Sequence, residues 1–212
     1  MPSELRKERD RARTERRRQA LLDAAARVFV RQGFHRTLVS DIAREAQVGQ
    51  GTFYRHFPDK TAIFVALMDR FLGTLFEGFA EMSERRPSNL DEYREASVRA
   101  LMRLATHLER NRELAVMLLR EAPSVGPDAE ERLENLYQGL ADLARTFLDH
   151  AIAEGFAPPC DSTLVSQAIV ALGTAMAHRW WSGRLAGFSV EQVITGLVDF
   201  AFLGLSGGTR PR

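Results

Sequence analysis

The sequence lacks most features of secreted and membrane-spanning proteins. Its 212 residues include a single cysteine, Cys160, so no disulfide can form within the chain, which fits a reducing compartment. The amino terminus is a run of charged residues and not an apolar signal segment. The longest apolar run, Val193 to Leu205, is interrupted by Asp199 and is too short to cross a bilayer. We therefore expect a cytoplasmic protein with no membrane contact.

Motifs that carry catalytic or metal chemistry are also missing. The sequence has no phosphate-cradling glycine loop, no HExxH and no CxxC pair. A catalytic or metal cluster assembled from distant residues stays an alternative that no pattern favours. We expect no enzymatic activity, no cofactor and no metal site. The five histidines are scattered, at His35, His56, His107, His150 and His178.

What the sequence does have is an uneven distribution of charge. Residues 1–60 hold 14 Lys and Arg against 8 Asp and Glu, a net charge of +6, whereas the remaining residues carry −5. This asymmetry indicates that only the front of the chain meets a polyanion. The alternative is a solvated charged tail, which residues 4–18 alone would fit because their charges are mixed in sign.

Apolar periodicity predicts helices almost everywhere, and glycines and prolines divide the chain into about nine of them. The first helix is predicted from roughly Arg16 to Gln32, with Gly33 as its stop. Thr37 is the predicted N-cap of the second helix. The other predicted spans are 51–57, 59–86, 90–110, 112–121, 128–154, 162–184 and 190–205. The apolar stripe of the first helix comprises Leu21, Leu22, Ala25, Val28 and Phe29.

The third predicted helix has two distinct faces. Phe53 and Phe57 lie four residues apart, so both can face inward. Polar and aromatic residues are then left outside, as in a helix-turn-helix whose second helix enters the major groove. Arg55 can donate two hydrogen bonds to guanine, and the hydroxyls of Thr52 and Tyr54 suit phosphate oxygens. The alternative is a helix-turn-helix that serves packing alone.

Residues 16–70 resemble the N-terminal domain of the TetR family of transcriptional regulators. The resemblance rests on the stretch ALLDAAARVFVRQGFHRTLVSDIAREAQVGQGTFYRHFPDKTAIFVALM, with its Gly-Phe pair, Asp-Ile-Ala, Gly-Thr and a following apolar helix. One departure is Gln47, which replaces the usual turn glycine and predicts a slightly different turn.

The resemblance implies an all-α homodimer that binds double-stranded operator DNA. A three-helix head, residues 16–60, would follow a basic tail, 1–15, and precede a larger ligand-binding and dimerisation body, 61–205, with a flexible tail at 206–212. The predicted DNA-contacting residues are Arg36, Thr37, Ser40, Arg44, Gln50, Gly51, Thr52, Tyr54, Arg55, His56 and Lys60.

The last two helices are apolar on several faces, which favours a subunit interface independently of the resemblance. The family's four-helix bundle across a two-fold axis agrees with this interpretation. An intrachain core is the alternative for some of these positions. The predicted interface comprises Leu164, Ala168, Ala171, Leu172, Ala175, Met176, Val193, Ile194, Leu197, Val198 and Ala201.

An effector pocket is implied by the family, and the body supplies apolar and aromatic residues for it. Core packing is an equally good interpretation of each of them. The sequence favours a repressor released by a hydrophobic or aromatic effector, with a fatty-acyl thioester as one candidate. Two alternatives stay open: a dimerisation scaffold without DNA binding, and nonspecific nucleic-acid binding through residues 6–18. The candidate pocket residues are Phe71, Leu75, Phe79, Leu104, His107, Met117, Arg120, Phe147, His178 and Trp181, with Glu121 as a further polar group.

Overall fold

The computed structural model describes residues 2–80 and 87–205, and within these ranges all secondary structure is helical. This confirms the predicted all-α class with about nine helices. The last part of the predicted fourth helix, the side chain of Phe79 and the tail at 206–212 lie outside the described residues. The helices are α1 Pro2–Gln32, α2 Val39–Glu45, α3 Gln50–His56, α4 Lys60–Ala80, α5 Leu90–Arg110, α6 Arg112–Val125, α7 Pro127–Ala153, α8 Ser162–Trp181 and α9 Val190–Leu205.

The described residues form two compact units. The first contains the chain up to Gly73 together with Arg112–Leu133, and the second contains Thr74–Asn111 and the chain from Glu134 onward. The first unit therefore extends beyond the predicted three-helix head, because α6 packs on α1.

Helix α1 begins at Pro2, and the predicted start near Arg16 is wrong. The prediction relied on apolar periodicity, which residues 4–18 do not have. These residues are mostly Arg and Glu, which have high helix propensity, and no glycine or proline interrupts them. Local contacts support the helix, such as the bond from Thr14 Oγ1 to the carbonyl of Asp10 at 2.9 Å. The predicted stop is confirmed: Gly33 has φ +79°, and its N–H donates to the carbonyl of Phe29 at 2.7 Å.

The core of the first unit is built on the predicted apolar stripe of α1. All five residues of that stripe are at most 1% exposed. Phe29, Phe34 and Phe64 form an aromatic cluster, with ring centroids 5.2–5.6 Å apart and two of the three pairs edge to face. This cluster packs α1, the loop after it and α4 together, and the loop leads directly into the helix-turn-helix.

Helix α2 is capped by a different residue from the one predicted. Its N-cap is Leu38, and the predicted N-cap Thr37 is wrong. The hydroxyl of Thr37 is buried and donates to the carbonyl of Gly33 at 2.7 Å. The carboxylate of Asp41 accepts from the N–H of Leu38 at 3.1 Å and so satisfies a backbone donor at the start of the helix.

The second unit packs α9 against α5 and α8. Its core includes Tyr93, whose hydroxyl donates to the carbonyl of Phe147, together with Leu148 and Ala151. Asn89 caps α5 by accepting from the N–H of Glu92 at 2.9 Å. No helix among residues 2–80 and 87–205 is both long enough and apolar enough to span a membrane.

Candidate nucleic-acid interface

The turn that joins α2 and α3 has a glycine-like backbone conformation at a residue that is not glycine. The N–H of Val48 donates to the carbonyl of Ala43 at 2.9 Å, and the N–H of Gln47 donates to the carbonyl of Arg44 at 3.0 Å. These two bonds form a Schellman motif, which ends a helix with a residue in the left-handed region. That residue is Gln47, with φ +56°. The turn therefore has the left-handed conformation although Gln47 stands where a glycine is usual, and the Cβ of Gln47 causes steric strain there.

Helix α3 is held by its aromatic inner side, as the sequence predicts. Phe53 is 0% exposed and Phe57, at the C-cap, is 4% exposed. Their ring centroids lie 5.9 Å apart. The guanidinium of Arg18 lies 5.4 Å from the centroid of the Phe57 ring, which brings a positive charge from α1 to the end of α3. These contacts fix the rotation of α3 about its own axis.

The opposite side of α3 is open to solvent. Gln50, Gly51, Tyr54 and Arg55 are exposed, and Tyr54 retains 55% of its accessible surface. One N–H of Arg55 donates to the hydroxyl of Thr52 at 3.1 Å. A guanidinium has five donors in a planar fork, so this bond orients Arg55 and leaves donors for a partner.

His56 lies at the edge of this surface and is half-buried. Burial lowers the pKa of its imidazole, and the positive charges of Arg55, Arg17 and Arg18 lower it further. The ring is therefore mainly neutral at pH 7, so His56 can donate or accept a hydrogen bond at this surface.

The exposed side of α2 and the loop before it contributes arginines. Arg44 pairs with Asp41 at 2.6 Å while its side chain stays 79% exposed. Arg36 is exposed and donates from Nε to the carbonyl of Gln32 at 2.8 Å. Ser40 is half-buried. The backbone N–H of Leu38, and then Gln32 and Arg44, lower the pKa of Asp41, although its partial burial opposes them.

Two predicted DNA contacts are turned inward instead. Lys60 Nζ donates to the carbonyls of Phe34 at 2.9 Å and His35 at 3.3 Å, and it lies 4.3 Å from the centroid of the Phe34 ring. Burial lowers the pKa of Lys60, and the negative charge of Glu121 opposes that shift. Thr37 is fully buried. Both side chains hold the α1–α2 loop from within, because their polar atoms satisfy its carbonyls.

The candidate pocket residues are divided between the two units. Phe71, Met117 and Arg120 belong to the first, where Phe71 and Met117 are buried. Arg120 is exposed and pairs with Glu121 at 3.1 Å. Glu121 itself bonds to the α1–α2 loop, a contact that the sequence did not reveal. In the second unit, Leu75 is buried, His178 is exposed, and the half-buried residues are Leu104, His107, Phe147 and Trp181.

The predicted interface residues differ in their exposure. Ile194 and Val198 are buried in the core of their own unit, as the intrachain alternative allows. On α8, Leu164 is 69% exposed. The other exposed members are Ala168, Ala171 and Ala175, and the half-buried ones are Leu172, Met176, Val193, Leu197 and Ala201. Among the described residues, no three His, Cys, Asp or Glu side chains are grouped as metal ligands.

The sequence profile of bacterial regulatory proteins of the tetR family matches residues 21–67, which include α2 and α3. The transcriptional regulator AcrR of Shigella flexneri is 30% identical over 168 residues, and the alignment covers 77% of each chain. The chain belongs to the tetR family of bacterial regulatory proteins. The identification made from the residues alone is therefore confirmed, and this TetR-family protein is a transcriptional regulator.

Solved structures of other regulators share the fold of this TetR-family chain. FadR from Bacillus subtilis, solved in complex with stearoyl-CoA, has a TM-score of 0.73 at 18% identity, covering 88% of this chain and 98% of FadR. The TetR-family regulator PfmR from Thermus thermophilus has a TM-score of 0.66 at 22% identity, covering 90% of this chain and 99% of PfmR.

Proposed function

We propose that this regulator binds a palindromic operator through the solvent side of α3 and the exposed residues around α2. The observation that carries the proposal is the fixed rotation of α3, in which buried Phe53 and Phe57 leave Tyr54 and Arg55 exposed. Arg55 reads a base edge, with the exposed residues of α3 around it. Arg36 and Arg44 bind phosphates on either side.

The supporting residues act from behind this surface. Thr37 and Lys60 belong to the DNA-binding domain, residues 16–60, through the loop that they hold and not through direct contact. The arginines near the start of α1 add phosphate or minor-groove contacts, which raise affinity without selecting a sequence. Residues 61–205 provide effector binding and dimerisation.

The regulator acts as a homodimer through α8 and α9. The exposed α8 side chains of Leu164, Ala168 and Ala171 support this assignment, as does Phe200 on α9, which is 67% exposed. Exposed apolar residues of this size on adjacent helices are a common mark of a subunit interface. A two-fold axis through them would present two copies of α3 to two half-sites.

The effector is a small hydrophobic or aromatic molecule, and a fatty-acyl thioester is one candidate. The shared fold with FadR, which was solved with stearoyl-CoA, supports that class. An effector that favours a body conformation with the heads wrongly spaced weakens operator binding, so the protein is a repressor that its ligand releases. The alternative is a helical dimerisation scaffold without specific DNA binding.

The test is Arg55→Ala with Arg99→Ala as a matched control. Both changes remove one exposed arginine, but Arg99 lies on α5 in the second unit and pairs only locally with Glu95. The operator is sought in the DNA beside the protein's own gene and by selection from random duplexes. Arg55→Ala should weaken operator binding by about 1–3 kcal/mol and relax specificity at one base pair. Arg99→Ala should change little.

Affinities are measured by fluorescence anisotropy at several salt concentrations against a scrambled duplex. Binding that is equal for both duplexes and vanishes with modest salt would reduce the interaction to charge attraction. Failure of the random selection to yield any preferred sequence, with Arg55→Ala indistinguishable from Arg99→Ala, would favour the scaffold.

A further inference from the structure

The last turn of α6 bonds to the loop that precedes α2. Glu121 Oε2 accepts the backbone N–H of Phe34 at 2.6 Å, and the side chain of Glu121 is only 13% exposed. A Cβ on Gly33 would lie 3.0 Å from Glu121 Oε1, so a glycine at this position lets the carboxylate approach closely. Nearby, Ser124 Oγ lies 3.0 Å from His35 Nε2.

Lys60 binds the same loop through the backbone carbonyls of the loop. The carboxylate of Glu121 accepts from the N–H of Phe34, while the ammonium group of Lys60 donates to the carbonyls of Phe34 and His35. The negative charge of Glu121 also favours the charged form of Lys60, which burial disfavours. The loop is therefore held between an acid on α6 and a base at the start of α4. Removing the acid would leave a backbone donor and a partly buried cation with less compensation.

The position of this loop fixes where α2 begins. Phe34 is 5% exposed and belongs to the aromatic cluster, and only four residues separate it from Val39, the first residue of α2. A tight turn then leads from α2 to α3. A displacement at Phe34 is therefore passed to the arginines that surround the proposed DNA contact.

We propose that Glu121 is a positioning residue for operator binding, acting through Phe34 and Lys60 although it lies on α6, outside the helix-turn-helix. This inference rests on the proposed DNA-binding function. Glu121 does not touch DNA in this role; it sets the geometry in which α2 and α3 meet both the phosphates and the bases. Its loss lowers specific binding, which needs that geometry, more than nonspecific binding, which depends on charge.

The experiment compares Glu121→Ala and Glu121→Gln with Glu113→Ala. The control removes an exposed carboxylate from the first turn of the same helix and does not alter the residue that bonds to Phe34. Glu121→Gln retains an acceptor for Phe34 and loses the charge. Affinities for the selected operator and for a scrambled duplex are measured at a temperature where circular dichroism shows every variant folded, so a simple loss of stability does not register as a loss of affinity.

Glu121→Ala should weaken operator binding about tenfold and Glu121→Gln about threefold, while their binding to the scrambled duplex stays within about twofold of wild type. The control Glu113→Ala should bind the operator within about twofold of wild type. Hydrogen exchange of the Phe34 amide should speed up in Glu121→Ala, since its acceptor is lost. If Glu121→Ala does not fold, Glu121→Gln decides by the same criterion. If the folded Glu121 variants bind the operator as tightly as Glu113→Ala does, the role of Glu121 is overturned.

The outcomes also separate this role from the proposed function. A wild-type protein that binds both duplexes equally refutes operator binding and, with it, the role of Glu121. A wild-type preference for the operator that survives unchanged in both Glu121 variants refutes the role of Glu121 alone.

Discussion

Replacing Gln47 by glycine should stabilise the protein. Gln47 is exposed and has φ +56°, where a side chain brings Cβ too close to the following carbonyl. That conformation costs a non-glycine residue about 1–2 kcal/mol. Glycine removes the strain but adds about 0.5–1 kcal/mol of backbone entropy to be lost on folding. With the middle of each range, the net gain in the free energy of unfolding is about 0.75 kcal/mol.

Thermal unfolding followed by circular dichroism measures this gain. For a chain of this size, 1 kcal/mol shifts the midpoint by about 2–4 °C, so Gln47→Gly should raise Tm by about 1.5–3 °C. Gln47→Ala is the control, because it removes the same polar group and keeps Cβ in the strained position. Operator affinity should stay within about twofold, since the turn keeps its conformation.

The comparison with alanine decides whether the reasoning is right. If Gln47→Gly is no more stable than Gln47→Ala, then the strain relieved at this turn does not exceed the backbone entropy that glycine costs, and the reasoning fails. If both variants are less stable than wild type by similar amounts, the side chain of Gln47 contributes more than its backbone conformation costs.

Two further predictions concern pH and assembly. Because the folded-state pKa of Asp41 is lowered, its contribution to stability is present above pH 3.8, its unperturbed value, and is lost as the pH falls toward the folded-state value. Urea unfolding at pH 5.5 and pH 3 should thus show a larger loss for wild type than for Asp41→Asn, and equal losses would contradict the assigned hydrogen bonds. Leu164→Glu should convert the dimer to a monomer in sedimentation velocity, whereas the same change at exposed Leu38 should not. If the Leu164→Glu variant remains a dimer, the interface lies elsewhere.

The parts of the fold that follow from periodicity were predictable from the sequence. The buried stripe of α1 and the inward pair Phe53 and Phe57 were correct because each repeats at helical spacing between clear breaks. The prediction of Thr37 as the N-cap of α2 is wrong because it rests on the general preference for threonine at N-caps and not on the contacts of this loop. A threonine hydroxyl can also satisfy a loop carbonyl, and here it donates to the carbonyl of Gly33.

The candidate site was predictable only where its residues are close in the chain. The exposed residues of α3 lie on one short helix, so their common direction follows from the burial of its other side. Glu121 lies 87 residues from Phe34 and has no pattern that relates the two. The inward turn of Lys60 was missed for a similar reason, since its acceptors are backbone carbonyls 25 and 26 residues earlier. Pocket residues are scattered in the same way.

The unbroken helix of α1 changes what the mixed charges near its start mean. Along a helix, residues three, four and seven apart share a face. Arg6, Arg9 and Arg13, all exposed, therefore project to one side, whereas exposed Glu8 and Glu15 project to nearly the opposite side. A disordered segment of the same composition would present positive and negative side chains in no fixed direction to a binding partner. The helix instead fixes these directions: Arg6, Arg9 and Arg13 share one side, with Asp10 at its edge, while Lys7 and Arg11 lie among the glutamates of the other side. A polyanion therefore meets the higher density of positive charge when it approaches the side of Arg6, Arg9 and Arg13.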